Sequence, residues 1–191
     1  MKKVLIVIDM QNDFIDGALG TPEAQAIVPN VKKKIEEYRK REEKILFTRD
    51  THNEDYLDTM EGKYLPVKHC IKGTNGWEIS KEIGSPMADH YIIDKPNFGH
   101  IDWVEQLSEF EYVEDEDNWG GAYIEKRPEA IELAGLCTDI CVVSNALILK
   151  ALYPETPITV DASCCAGVTL ESHKAALLTM KMCQINVINE D

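Results

Sequence analysis

Val4 to Ile8 is a run of five apolar residues with no polar residue between them. A strand with one wet face would alternate. A run that does not alternate predicts a strand buried on both faces, the mark of a parallel sheet covered by helices on either side. Comparable runs recur at Lys44 to Thr48, His90 to Asp94, Ala130 to Leu136, Ile158 to Asp161 and Ile185 to Ile188. Between them, Ile27, Val31, Ile35 and Tyr38 fall at helical spacing, with Lys32, Lys33, Glu36, Glu37 and Arg41 opposite and Pro29 in the first turn. Trp103, Leu107 and Phe110 predict a short helix, Ile140 to Leu152 a nearly all-apolar one, and Ala175, Leu178 and Met182 a last one. The expectation is an α/β fold: an open, doubly wound parallel sheet of about six strands, helices on both faces, one domain over residues 1–191.

Ligands of such sheets bind beyond the carboxyl ends of the strands. Asp9, Asp50, His52, Lys95 and Cys141 all fall there, on four separate strand ends. The tight turn after Leu136 leaves Cys141 in the first turn of a helix, where unpaired N–H groups and the helix dipole favour thiolate. A free thiol has a reference pKa of about 8.5 and is mostly protonated at neutral pH. A helix N-terminus supplies about 0.3–1 kcal/mol of the roughly 2 kcal/mol needed to reverse that. A neighbouring ammonium could add the rest and a carboxylate could accept the proton, which makes Asp9, Lys95 and Cys141 a candidate catalytic set.

Asp50 and His52 stand two residues apart and project from the same side of an extended segment. With His69 they form a candidate site for one divalent ion, most simply Zn, with Mn or Fe as alternatives. Cys70, adjacent to His69, points the other way and belongs to the packing. Residues 53 to 88 form a long excursion of the kind that usually carries function.

The formal charge of −14 excludes a nucleic-acid partner as the simple reading. No apolar run approaches the ~20 residues of a membrane span, and nothing resembles a signal peptide. Six cysteines without the spacing of a disulfide framework fit a reduced, cytoplasmic protein. The acidic stretch from Glu111 to Asn118 is given no role.

The motifs Val-Ile-Asp9-Met-Gln-Asn-Asp-Phe14, Arg49-Asp50-Thr-His52, Leu-Pro-Val-Lys-His69-Cys-Ile-Lys-Gly-Thr-Asn-Gly76, Lys95 after a strand, and Gly135-Leu-Cys-Thr-Asp-Ile-Cys141-Val occur in that order over residues 4 to 188. Together they resemble the isochorismatase-like cysteine hydrolases, and within these the nicotinamidase branch. The resemblance implies a triad of Asp9, Lys95 and Cys141. It also implies an ion on Asp50, His52 and His69 that binds the pyridine nitrogen of nicotinamide, with Glu61 as a fourth ligand. An oxyanion hole from the backbone N–H groups of Cys137 and Cys141 follows, with a cis Leu136–Cys137 peptide and ring contacts from Phe14 and Phe98. The sequence departs from the pattern at Cys137 and in the shortened Pro96-Asn97-Phe98-Gly99 loop. Hydrolysis of a carbamoyl or ureido compound without metal, or a non-catalytic binding module, are the rival readings. A small-molecule amide is the expected partner, with self-association possible by analogy.

Overall fold

The computed structural model describes residues 3–84, 92–115 and 120–190. In chain order the elements are β1 (Val4–Ile8), α1 (Asn12–Ile15), α2 (Pro22–Lys40), β2 (Lys44–Asp50), α3 (Met60–Tyr64), β3 (Ile92–Lys95), α4 (Trp103–Leu107), β4 (Glu109–Asp115), β5 (Gly120–Lys126), β6 (Ile131–Leu136), α5 (Val143–Leu152), β7 (Ile158–Ala166), α6 (Leu170–Met182) and β8 (Asn186–Ile188). Six strands form a sheet in the order β3-β2-β1-β6-β7-β8, and every pairing in it is parallel. That is the expected fold. His90 and Tyr91, expected to open the third strand, lie outside the described residues.

The unbroken apolar run of β1 has the expected cause, since all five of its side chains are buried. Val4, Ile6 and Ile8 pack with Trp103, Leu149 and Met180 on the face covered by α4, α5 and α6. Leu5 and Val7 pack with Val31 and Ile35 of α2 on the other. Each such side chain contributes roughly 1.5–3 kcal/mol by leaving water. β1 and β6 lie side by side, and Gly135 lets them approach. Its φ is +129°, and a Cβ there would collide with the carbonyl oxygen of Ile8.

Four details differ from expectation. First, α2 begins at Pro22, where the Thr21 hydroxyl accepts from the Ala24 N–H at 3.0 Å. This cap and a proline at the first helical position start the helix early, so Pro29 falls inside it rather than in its first turn. Pro29 is exposed, which leaves the carbonyl it cannot bond on the side of water. Second, the apolar stripe read in α6 is its outer face. Leu178 and Met182 are exposed, whereas Ala176, Leu177 and Met180 are buried.

Third, the expected helix through Phe110 stops at Leu107, and β4 and β5 pair as an antiparallel hairpin. Tyr112 meets Tyr123 edge to face across it, with ring centroids 5.3 Å apart, a cross-strand aromatic contact. Residues 116 to 119, including Trp119 and the end of the acidic stretch, lie outside the described residues. Fourth, β7 runs on to Ala166, with a register irregularity against β6 between Leu133 and Gly135. Cys164 and Cys165 are therefore strand residues packed in the interior. All six cysteines are unpaired.

Candidate active site and metal centre

The parallel order sets the expected residues along one edge of the sheet. Asp9 follows β1, Asp50 ends β2, Lys95 ends β3, and Cys141 follows β6. These four strands are contiguous.

Asp9 sits at φ 47°, a left-handed conformation uncommon for a non-glycine residue. Its N–H donates to the Thr48 hydroxyl oxygen at 3.2 Å, and that hydroxyl donates back to Asp9 Oδ1 at 2.6 Å. Asp9 Oδ2 lies 2.6 Å from Lys95 Nζ. Lys95 is fully buried, and its ammonium also reaches Cys141 Sγ at 3.4 Å, Asp50 Oδ1 at 3.5 Å and the Asn97 carbonyl oxygen at 3.2 Å. Burial pushes the lysine pKa down, but Asp9, the Cys141 sulfur and Asp50 together outweigh it, so Lys95 stays charged. Burial pushes Asp9 above the usual carboxylate range against the opposing pull of Lys95, which makes it a better proton acceptor.

The turn carrying Cys141 is one wide helical turn, Thr138–Val142, that leads into α5. The Cys137 carbonyl accepts from the N–H groups of Ile140 and Val142 at 3.1 and 3.0 Å. The turn is tied to α6: Thr138 Oγ1 lies 2.8 Å from His173 Nδ1, and the Asp139 carboxylate accepts from the Val168 N–H and the Ser172 hydroxyl. The Leu136–Cys137 peptide is cis, as the resemblance implied.

The protonation of Cys141 differs from expectation. Burial, then the Asp9 carboxylate, push its thiol well above the ordinary value, and Lys95 opposes them without prevailing. Desolvation outweighs a helix end and one ammonium here, which favours the protonated thiol beside Asp9.

Asp50 also faces the second cluster. Its Oδ2 lies 2.8 Å from His52 Nε2 and 3.5 Å from His69 Nε2, and Glu61 Oε1 lies 3.6 and 3.7 Å from the same two nitrogens. The candidate ligand atoms of Asp50, His52, Glu61 and His69 all fall within 4.8 Å of one another. His69 Nδ1 lies 2.8 Å from the Val67 carbonyl oxygen, which fixes the tautomer and turns an Nε2 lone pair toward the cluster. His52 Nε2 is buried with no hydrogen bond of acceptable geometry, despite its closeness to Asp50. A buried, unbonded nitrogen among carboxylate oxygens suits a shared cation, and two imidazoles with two carboxylates suit Zn, Mn or Fe.

Local chain geometry brings these four together. The His52 N–H donates to the Cys70 carbonyl at 3.0 Å and the Lys72 N–H to the His52 carbonyl at 2.9 Å, which lays the His69 segment beside the end of β2. Glu61 arrives because Gly62 packs against the chain at Tyr56 where a Cβ would clash with backbone.

Sequence reasoning missed the supports. The Tyr56 ring lies 4.6 Å from that of His52 and 4.9 Å from that of His69. The Gln11 amide accepts from the Asp50 N–H and donates to the carbonyls of Asp50 and Trp77. Asp13 Oδ2 accepts from the Cys70 N–H. The polar Gln11-Asn12-Asp13 cluster was the available signal for the last two; Tyr56, inside the long excursion, gave none.

A cavity of about 510 Å³ opens over both clusters, and Phe14, Phe98, Cys137, Cys141, His69 and Glu61 are among its walls. The isochorismatase domain family matches residues 3–191. The chain belongs to the isochorismatase family. It is 26% identical over 195 residues to a nicotinamidase of Saccharomyces cerevisiae (83% of this chain, 86% of that protein). It is 30% identical to a probable inactive nicotinamidase of Arabidopsis thaliana (93% and 87%). Among solved structures, pyrazinamidase of Pyrococcus horikoshii in complex with zinc shares the fold at 24% identity, with a TM-score of 0.73 and 98% and 99% of the two chains covered. N-carbamoylsarcosine amidase of Thermoplasma acidophilum aligns at 26% identity and a TM-score of 0.70, covering 98% and 95%.

Proposed function

We propose that this chain is a metal-dependent nicotinamidase, converting nicotinamide and water to nicotinate and ammonia. The observation that carries the reading is that Cys141, Asp50, Glu61 and His69 wall one cavity, with the Lys95 ammonium reaching both Cys141 and Asp50. Asp50, His52, His69 and Glu61 would hold the ion, which when bound supplies a Lewis-acidic contact for the pyridine nitrogen. Phe14 and Phe98 flank the ring. Asp9 takes the Cys141 proton as the sulfur attacks the amide carbon, while Lys95 balances the negative charge that moves between them.

The oxyanion rests on the backbone N–H groups of Cys137 and Cys141, each worth roughly 3–4 kcal/mol. Asp9 then protonates the departing nitrogen, the C–N bond breaks, and ammonia leaves a thioester on Cys141. Water adds to the thioester with Asp9 again as base. Collapse releases nicotinate, and the proton returns to the sulfur. Such a reaction would recover the pyridine for NAD salvage in the cytoplasm. Among the described residues no helix is long and apolar enough to cross a membrane.

Carbamoyl hydrolysis without metal is the second reading, supported by the N-carbamoylsarcosine amidase likeness. It gives Asp50, His52, His69 and Glu61 no common purpose. Ammonia release from nicotinamide and from a panel of carbamoyl and ureido compounds, with and without Zn, Mn or Fe, separates the two. Metal-stimulated release from nicotinamide is expected. Release from a carbamoyl compound alone, indifferent to added ion, would overturn the reading.

A further inference from the structure

Asn145 is the one strongly polar residue that faces inward from the buried side of α5, and its side chain is fully buried. Its Oδ1 accepts from the backbone N–H of His100 at 2.9 Å and from the indole N–H of Trp103 at 3.2 Å. Its Nδ2 donates to the carbonyl of Phe98 at 3.1 Å and to that of Cys141 at 2.8 Å. The amide thus uses its two acceptor and two donor positions at once. Each partner has a fixed polarity, two N–H donors and two carbonyl acceptors, so the amide can stand in only one orientation. No other side chain of this size offers the same four bonds. Aspartate would face two carbonyls without a donor, and leucine would take this partner from two buried and two partly buried groups.

Three of these bonds go to residues 98 to 103, and the fourth goes to the nucleophile's own carbonyl. The same segment packs on α5 at Gly99, which lies against Ser144 and the end of the Ile148 side chain. One residue earlier, the Asn97 carbonyl accepts from Lys95 Nζ. Phe98, which walls the cavity, is itself 44% exposed and little held by packing.

We infer that Asn145 is a positioning residue that fixes the Phe98 segment relative to Cys141 and so sets how the substrate ring is presented to the sulfur. The inference uses the nicotinamidase reading only for its choice of substrate. A misplacement of about 1 Å remote from the chemistry can cost 10²-fold in rate, so one amide bridging wall and nucleophile has ample leverage.

Asn145→Leu removes all four bonds at similar volume, and Trp103→Phe removes one while leaving the amide in place. For nicotinamide, kcat/KM is expected to fall at least about tenfold in Asn145→Leu, and by a smaller factor in Trp103→Phe. In a Phe98→Ala background the Asn145→Leu effect on kcat/KM should shrink below about twofold, since residues acting through one another are not additive. If Asn145→Leu does not fold by circular dichroism, Trp103→Phe carries the same cycle. Unchanged kcat/KM in a folded variant, or additivity with Phe98→Ala, would overturn the inference.

A readout independent of turnover is the rate at which N-benzyl chloroacetamide alkylates Cys141 relative to iodoacetamide. That ratio should fall in both variants and stay unchanged if Asn145 only stabilises the fold. Should the wild-type protein not turn over nicotinamide, the proposed function fails and this ratio alone decides the role of Asn145.

Discussion

Among the described residues two lysines are set among carboxylates, Lys95 fully buried and Lys34 partly so, and their surroundings differ. Lys34 of α2 meets Glu132, and Asp161 at 2.8 Å. The surrounding oxygens are occupied: the Tyr38 hydroxyl donates to Glu132 Oε2, and Asp161 Oδ1 accepts from the Ser163 hydroxyl and Asn189 Nδ2. Lys95 also holds two carboxylates, but it stands at a strand end under a cavity. Its remaining partners are the Cys141 thiol and the Asn97 carbonyl, and one of its carboxylates, Asp50, also faces an unbonded histidine nitrogen. Burial with every group satisfied gives rigidity. Burial with capacity left over gives chemistry.

The largest expected effect is at the sulfur. Cys141→Ala should lower hydrolysis by about 10³-fold or more, the scale seen when a nucleophile is removed from a catalytic set. Cys137→Ala, Cys164→Ala and Cys183→Ala should each retain at least partial activity. Mass spectrometry after reaction with an electrophilic substrate analogue should find the adduct on Cys141. An adduct on Cys137 with Cys141→Ala still active would reverse the assignment.

Lys34→Met tests the other side of the comparison. It strands two carboxylates in a mostly buried site, which should cost about 3–5 kcal/mol of stability in a denaturant titration. The protein that remains folded should keep its kcat. A selective loss of kcat without loss of stability would show that the two lysines are not opposites.

His52→Ala should abolish the tight binding of one divalent ion per chain, read by metal analysis and competition with a chelator. The thiol should still react with iodoacetamide, because the ion's ligands lie beside the triad and not within it. Retention of one tightly held ion per chain would remove the ligand assignment.

The smallest effect concerns Asp161→Asn. Burial opposes ionisation of Asp161, yet Lys34, Ser163 and Asn189 outweigh it and hold the carboxyl below its ordinary range. A depressed carboxyl contributes stability that is present above its unfolded value of about 3.9 and is lost as pH falls through the lower folded value. The stability gap between wild type and Asp161→Asn should therefore be full at pH 6 and shrink as pH falls below the unfolded value. A gap independent of pH would mean that packing, not charge, holds the pair.

The sheet and the reactive edge were legible because both rest on local pattern. Buried strands show as unbroken apolar runs such as Val4 to Ile8, and ligand residues sit where those runs stop. The hairpin of β4 and β5 was hidden because acidic residues dominate β4 and the contact that marks the hairpin, Tyr112 with Tyr123, is between strands. The burial of α6 was misread because Leu178 and Met182 keep helical spacing on a face that nothing covers. Spacing reports a helix but not which side the sheet lies on. The Cys141 thiol went the other way from expectation because desolvation comes from the whole fold, and no short motif encodes it. Asn145 escaped notice for a related reason: one polar residue in an apolar helix gives no hint of four partners in three other places.

Asp50 gives one oxygen to the lysine and the other to the histidines. This has a consequence for anyone dissecting the protein genetically. Under the proposed mechanism, variants at Asp9 or Cys141 would report on bond breaking and variants at His69 on ion binding, but no substitution at Asp50 could be read as one or the other. Exchanging it for asparagine would weaken the counter-charge of Lys95 and the proposed grip on a cation in a single step. Selection on either half of such a site would be felt at that position as selection on both.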